Sequence, residues 1–558
     1  MFEEILSAGV VDPIGADARR PVVVAFLLFV SCSLLWLFAI VTNHEASPDK
    51  LYVADRRLSP VLNGFAMAGE QMSAVAFLAI PGAIALFGYD GFTVAIDVAL
   101  ALGVMLLLAQ KIRNTGRYTL GDLFGIRATG SAPRIAAALV ILTLTLPALI
   151  VQLRAAGISA SLLIGFPTDE VEIACTILIG LLVACFASVG DLRGLTFMQA
   201  VKVPLTLTAL AAITLLVLGR FGWNPAQLLA AAEEGSLAPE KYLSPGLWPY
   251  WNSLGPFNSI GQHMVAVLGA AAAPAVLLRI GASRSGQAAR RSITIATTLV
   301  ASFVIMVILA GFAAAALVGS ATIGASDGNG QASLFLLSSA AFDHNPSARV
   351  VLITAIACIA FFAVLTAVTS MTFAAAVSLA HDLFGRRRSH GKAEVGTLRL
   401  IVVLLCTVGL SLSAATHHLQ VEFLINFALC IGASCIFPAL VYSLFWKRFN
   451  RRGLVWAVYG ALFLCVTLMF FSPEVSGSPY ALWPSVDFSW YPFQTPGLIS
   501  VPGAFLLGWI GSITSHEVGH HDPEEIEYKI TVGNYPPRGA ALRLEDAADA
   551  PRGPRHGR

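Results

Sequence analysis

The chain has 558 residues, 56% of them hydrophobic and 12% charged, with a net charge of +2 and a mean hydropathy of +0.75. A soluble domain carries roughly 25% charged residues. The composition therefore excludes an ordinary soluble enzyme or a basic nucleic-acid binder, and long apolar runs mark a polytopic membrane protein.

Residues 1–20 are acidic, with Glu3, Glu4, Asp12 and Asp17. They lack the basic start of a cleavable signal peptide and are read as an external N-terminus. About thirteen apolar segments follow, each near the roughly 20 residues that span a bilayer. They lie at 21–41, 61–87, 91–112, 134–164, 171–189, 195–219, 258–279, 292–318, 347–384, 397–415, 419–445, 453–472 and 497–514. The eight cysteines sit inside these runs with no metal-ligand spacing, and read as small core hydrophobes.

Basic residues follow the odd-numbered segments. Arg56 and Arg57 follow the first, Lys111, Arg113, Arg117, Arg127 and Arg134 the third, and Arg279, Arg284, Arg290 and Arg291 the seventh. Arg386, Arg387, Arg388 and Lys392 follow the ninth, and Lys447, Arg448, Arg451 and Arg452 the eleventh. The positive-inside rule puts these loops in the cytoplasm, the N-terminus outside and the C-terminus inside. The long external loops carry Trp223, Trp248, Pro249, Tyr250, Trp251, Trp483, Trp490 and Tyr491, which read as interfacial belts or an outer lid. The polar tail, 515–558, is expected to be disordered.

The second segment, GFAMAGEQMSAVAFLAIPG, carries Glu70 and Gln71 among Gly64, Gly69, Pro81 and Gly82. A charge at mid-membrane costs about 2.5–3.5 kcal/mol on insertion scales, so Glu70 points to function. Gly and Pro predict a broken helix, whose freed carbonyls suit a cation and whose freed N–H groups suit an anion. The seventh segment, with Gly261, His263, Gly269 and Pro274, is interrupted in the same way. Two broken helices five segments apart predict an inverted-repeat secondary transporter. Asp97 and Arg154, opposite charges inside apolar segments, predict an intramembrane ion pair; the alternative is that Arg154 binds a substrate carboxylate in a bidentate fork. His263 reads as a histidine bonded to a backbone carbonyl, or as a gating or proton group.

YVADRRLSPVLNGFAMAGEQMSAVAFLAIPG, GYDGF, KIRNTGRYTLGDLF and SLAHDLFGRRR together resemble the solute:sodium symporter family, in its acetate and short-monocarboxylate permease branch, over about residues 50 to 450. The resemblance implies an all-α polytopic membrane protein of the LeuT-type fold: a ten-helix core of two inverted five-helix repeats over 61–445. An accessory helix at 21–41 and two more in 453–514 would flank it. It implies a sodium site of carbonyls from Gly69 and Met72 with Ala363, Thr366 and Ala367. Ala367 lacks a hydroxyl, and Gln199, with Lys202 one turn on, stands where some relatives have an aspartate. Substrate or coupling candidates are Glu70, Gln71, Ser73, Gln152, Arg154, Gln199 and His263. Glu70 is the candidate proton acceptor if the coupling ion is H+ rather than Na+. His381 and Asp382 match a structural end motif.

The expected activity is inner-membrane symport of acetate, propionate or pyruvate coupled to Na+ by alternating access, with H+ as the alternative coupling ion, by a monomer with no organic cofactor and no nucleic-acid partner. A membrane-embedded enzyme would need a metal cluster or a nucleophile–base set, and the sequence has no HExxH and no clustered His or Cys. A non-transporting sensor would usually add a soluble signalling domain, for which the polar tail leaves little room.

Overall fold

A computed structural model describes residues 14–41, 52–128, 130–166, 168–248, 254–342, 345–384, 391–417, 419–478, 481–515 and 523–533. The elements are α1 (Ala16–Val41), α2 (Pro60–Gln71), α3 (Ala74–Phe87), α4 (Tyr89–Asn114), α5 (Ala132–Ile164), α6 (Asp169–Val189), α7 (Leu192–Arg220), α8 (Gly255–Ala271) and α9 (Pro274–Gly281). They continue with α10 (Gly286–Leu317), α11 (Pro346–Leu379), α12 (Gly391–Ala415), α13 (Val421–Ile431), α14 (Phe437–Phe445), α15 (Arg451–Phe470), α16 (Gly497–Ile513) and α17 (Pro523–Val532). Among the described residues ten spans are long and apolar enough to cross a bilayer, and the bent pair α2–α3 makes an eleventh. Helices α1 and α16 fall on the first and last segments of the sequence reading.

The second segment does break, but not at its glycines. Gly64 and Gly69 are helical, Pro81 lies inside α3, and the bend of 51° falls between Gln71 and Ala74. Ser73 makes the restart: its hydroxyl accepts the Ala76 N–H at 3.2 Å as the N-cap of α3. The glycines serve close packing instead. A Cβ on Gly64 would lie 2.8 Å from the Ser292 carbonyl of α10, one on Gly69 would collide with the Gln199 side chain, and one on Gly82 with the Gly330 backbone. The seventh segment is interrupted at Ala272–Ala273, with Pro274 opening α9. Proline fits there because the first turn needs no N–H from it.

Two groups of helices emerge from the packing. Helices α2–α3, α4, α8–α9 and α10 pack on one another, while α5, α6, α11 and α12 form a second group. Helix α7 touches α2 and α10 of the first group and α11 of the second. Helices α3 and α9 of the first group also reach α11 of the second, and α3 reaches α5.

At one end, loops close over the bundle. The Asp90 carboxylate, in the first turn of α4, accepts the N–H groups of Gly246, Leu247 and Trp248. The Trp248 indole donates to Glu422 at 2.8 Å and lies tilted against Phe87, with ring centroids 4.9 Å apart. Trp248 is therefore part of a cap rather than a lipid-facing belt; Pro249, Tyr250 and Trp251 lie outside the described residues. Gln494 Nε2 bridges Glu422, at 2.6 Å, and Glu474, at 2.8 Å, and Glu474 also accepts from Asn426 at 2.6 Å. Burial pushes the Glu474 carboxyl up to about 8, and the nearby Glu422 adds to this.

The opposite end carries the basic loops. There the carboxylate of Asp382 accepts from Thr119, the Gly121 N–H and Ser378, the structural role read from the end motif. The tail is not wholly irregular. Helix α17 docks here: Asn114 Nδ2 donates to the carbonyls of Ile530 and Thr531, at 3.1 and 2.9 Å, and Lys447 pairs with Glu527. Residues 1–13, 516–522 and 534–558, and Arg386 to Arg388, lie outside the described residues.

Packing predicts opposite outcomes for two helical glycines. Gly82→Ala sets a methyl against the Gly330 backbone, which costs about 1–3 kcal/mol by overpacking, and should lower the melting temperature of the detergent-solubilised protein. Gly103→Ala meets nothing within 4 Å and should leave it unchanged or raise it slightly through helix propensity. Glu474 gives a pH prediction. Its native carboxyl holds a proton that the unfolded chain releases near 4.5, so stability falls as pH rises from there to about 8. Melting curves across that window should show the fall in the wild type and a flatter profile in Glu474→Gln.

Candidate functional site

The break between α2 and α3 is the centre of the site. The last carbonyls of α2 and the first N–H groups of α3 meet there, at the level of α5 and α11. Ala74 clusters with Leu149, Leu153 and Phe361, and Val75 packs on Ile150 and Val151. Gln152 therefore sits beside the break; its Oε1 is buried with no hydrogen-bond partner. Gln199, on α7, is fully buried with both amide atoms unpartnered, and its side chain lies against Gly69. Buried amides without partners are rare because each costs about 1–3 kcal/mol. Here both amide atoms of Gln199 and the Oε1 of Gln152 are unpartnered beside a broken helix. Gln71 and Ser73 line the same break, half-buried.

The residues expected to hold sodium are brought together, but with a side chain among them. Lys202 Nζ, fully buried on α7, donates to the Gly69 carbonyl at 2.7 Å and to Thr366 Oγ1 at 2.9 Å. Thr366 also back-bonds to the Phe362 and Ala363 carbonyls, at 2.9 and 3.1 Å. Thr369, with its hydroxyl on the Leu365 carbonyl, has only the intrahelical role. Met72 and Ala367 are buried at the same break and helix. In the sequence, Lys202 stands out only by its spacing one turn after Gln199. Its signal was available: a lysine inside an apolar run needs oxygen partners, and the nearest broken helix supplies them.

Glu70 is not the free carboxylate that a proton acceptor would be. Arg279, 1% exposed at the end of α9, places Nε 2.7 Å and Nη2 2.6 Å from Glu70 Oε1. Ser370 of α11 donates to the same oxygen at 2.5 Å, and Arg279 Nη1 reaches Thr196 of α7 at 3.0 Å. Asn63 donates to the Arg279 carbonyl and to Ser283. Arg279 looked like a loop charge because it stands at the edge of its apolar segment. The fold buries it, because α9 packs on α2 and α11.

The pairing of Asp97 with Arg154 is corrected in the same way. Asp97 Oδ2 lies 2.7 Å from His263 Nδ1, between α4 and α8. Arg154 instead donates to the carbonyls of Leu419 and His417, at 2.5 and 2.6 Å, at the start of α13. The two helices that carry Asp97 and Arg154 belong to different groups, so charge complementarity alone chose the wrong partner. His263 meets a carboxylate rather than the backbone carbonyl expected of it. With Asp90, Thr93, Trp248, Asn258 and Gln262 it lines a cavity under the capping loops.

Comparison with known proteins agrees with this architecture. Residues 51–460 match the model of the sodium:solute symporter family. The chain is 32% identical, over 90% of its length and 93% of the relative's, to a monocarboxylic acid transporter of Corynebacterium glutamicum. It is 30% identical, over 91% of its length and 98% of the relative's, to the uncharacterized symporter YwcA of Bacillus subtilis. Among solved structures, a Na+-coupled sialic acid symporter in a substrate-bound outward-open state superposes with a TM-score of 0.67 at 14% identity, covering 90% of this chain and 99% of that one. The paired broken helices, the shared arm α7 and these matches together place the chain in the sodium:solute symporter family, whose members are non-enzymatic membrane transporters, here with the LeuT-type fold.

Proposed function

We propose that the protein imports a short monocarboxylate such as acetate, propionate or pyruvate, with a cation moving down its gradient. The observation that carries this reading is the start of α3 at Ser73 in mid-bundle, with the unpartnered amide of Gln199 and the unpartnered Oε1 of Gln152 beside it. A helix N-terminus favours an anion through its unpaired N–H groups and its dipole. Two amides offer hydrogen bonds to a small polar headgroup without adding charge. The relative named as a monocarboxylic acid transporter supports the substrate class. Arg154 is engaged by two carbonyls and acts as a brace between α5 and the start of α13.

The basic loops face the cytoplasm in this proposal, by the positive-inside rule, and the capped end faces outward, with a monomer as the working unit in the inner membrane. Domain limits follow the helices, with the transport core over 61–445. Alternating access is the rocking of one helix group against the other about the break. Ion and substrate couple because together they stabilise an arrangement that neither stabilises as well alone.

Two coupling ions remain in contention, each with an observation. The family favours sodium, for which the carbonyls of Gly69, Met72 and Ala363 with Thr366 and the Ala367 turn offer oxygen ligands. The contact of Lys202 with two of those residues favours H+, and we take H+ as the better reading. Labelled pyruvate uptake into proteoliposomes, against protein-free vesicles, tests both. Accumulation with acid outside, unchanged when sodium is replaced by potassium, is the expected result. Accumulation driven by sodium alone overturns H+ coupling, and none under either gradient overturns the substrate class.

Glu70 has its own outcome. Removing one partner of a buried ion pair costs about 3–5 kcal/mol, so Glu70→Gln should lower the melting temperature and uptake under either gradient together. Glu70→Gln with Arg279→Gln should recover much of the stability. A Glu70→Gln protein that is fully stable and has lost only proton-driven accumulation would restore the carboxylate to a coupling role.

A further inference from the structure

The capped end sets two carboxylates on one nitrogen. Gln494 Nε2 donates to Glu422 Oε1 at 2.6 Å and to Glu474 Oε1 at 2.8 Å. Each of those oxygens has a second donor, the Trp248 indole for Glu422 and Asn426 Nδ2 for Glu474. Glu474 Oε2 differs: it is buried and has no partner among the described residues. The Oε1 of Gln494, on the amide that bridges the pair, is also buried without a donor. The cluster is therefore short of donors, not of acceptors. An ionised oxygen at Oε2 would be a buried charge with nothing to stabilise it. A proton on Oε2 removes that cost, adds a donor, and leaves Oε1 to accept its two bonds.

Neighbouring charges do not take this role. Helix α13, which carries Glu422, packs on α5, α8, α15 and the Gly432–Ile436 turn. From α5, Arg154 is held by the carbonyls of Leu419 and His417. From α8, His263 is paired with Asp97 of α4, and Asp90 of α4 is occupied by backbone N–H groups. The turn and α15 bring the thiols of Cys435 and Cys465. Among the described residues, no Lys or Arg pairs with Glu422 or Glu474. The charge that acts on Glu474 is that of Glu422.

Position makes the pair mechanical. Glu422 stands at the start of α13, which packs on α5 of the second group as well as on α8. The Gln494 N–H donates to Asn258 of α8 at 2.8 Å, and Trp248 is tied to α4 through Asp90. Helices α4 and α8 belong to the first group. The acid pair thus joins the two groups above the cavity that Val94, Trp248, Asn258 and His263 line.

We infer that Glu422 and Glu474 form a one-proton latch that holds the capped end shut. With Glu474 protonated, the pair carries one negative charge, shared among Trp248, Gln494 and Asn426. When the Oε2–H bond breaks, its electron pair stays on the oxygen and the proton passes to water. Two like charges then face each other across a single amide, and their repulsion parts Gln494 and Trp248 from α13 and opens the cavity. Burial and the nearby Glu422 push the Glu474 carboxyl up to about 8, so the latch closes below that pH and opens above it. It depends on neither the coupling ion nor the substrate proposed above.

Labelling under the cap tests this without substrate. Val94 lines the cavity and is half-buried. Full-length Val94→Cys in nanodiscs is treated with a soluble maleimide, and that cysteine is read by peptide mass spectrometry. Rates are divided by those of the same cysteine in Glu422→Gln with Glu474→Gln, which cancels the thiol's own pH dependence. Raising pH from about 6.5 to about 9 should raise the ratio about fivefold, a modest population shift, in sodium or potassium alike. Glu422→Gln alone and Glu474→Gln alone leave at most one charge, and each should be flat. A ratio that stays constant with both carboxylates present overturns the latch. So does an equal rise in Glu422→Gln, which would assign the opening to another group such as His263. The infrared carboxylic-acid band of the chain with both glutamates needs no substitution: it should lose intensity across the same window, and a constant band overturns the proposal.

Discussion

A charge inside a membrane protein must find a partner there, and the three charges at the broken helix arrange everything near them. Glu70 and Arg279 join the end of α2 to the end of α9, and Ser370 and Thr196 extend that pair to α11 and α7. Lys202 joins the same helices one turn away. Removing either Glu70 or Arg279 leaves the other stranded in low dielectric, where repair by water is poor. The paired charges therefore hold together helices from both groups, in a region where the apolar effect offers little to choose between helix and lipid.

The two ends of the bundle are closed by different chemistry. At the capped end, Asp90, Trp248, Glu422, Gln494 and Glu474 form a chain of hydrogen bonds from α4 through the loops to α13. Its members are mostly neutral donors around carboxylates, so its strength depends on which carboxylates hold protons. At the basic end, ion pairs and the docked α17 do the joining. Here Asp122 accepts Arg134 and His381 as partners. Burial alone would raise its carboxyl, but the hydrogen bond and charge of His381, with Arg117 and Arg134, hold it below the ordinary value. The capped end thus rests on hydrogen bonds around carboxylates, and the basic end on ion pairs.

Much of the fold was legible in the chain. The apolar runs, the alternation of basic loops and the two interrupted segments are local properties, and the helices fall on them with boundary shifts of a few residues. The site was legible only in part. Gly69, Thr366, Gln152 and Gln199 do come together, because motif and helix position fix them along one axis. The partner of each charge was not. Asp97 and Arg154 are the natural pair in one dimension, yet they lie on helices of different groups; His263 is what α8 brings to Asp97. Arg279 stands at the edge of its apolar segment in the sequence, yet the packing of α9 on α2 sets it against Glu70.

The sequence by itself determined that this is a membrane protein of many apolar helices, with two broken ones, because hydropathy and the helix-interrupting residues act over a single turn or span. It also determined that charged side chains at membrane depth have a purpose. Only the tertiary structure decided what that purpose is. Which oxygens surround Lys202, and whether Glu70 faces solvent or a guanidinium, depend on contacts between helices more than a hundred residues apart. Those contacts are set by how whole helices pack, where a glycine allows one backbone to approach another, and not by any local pattern.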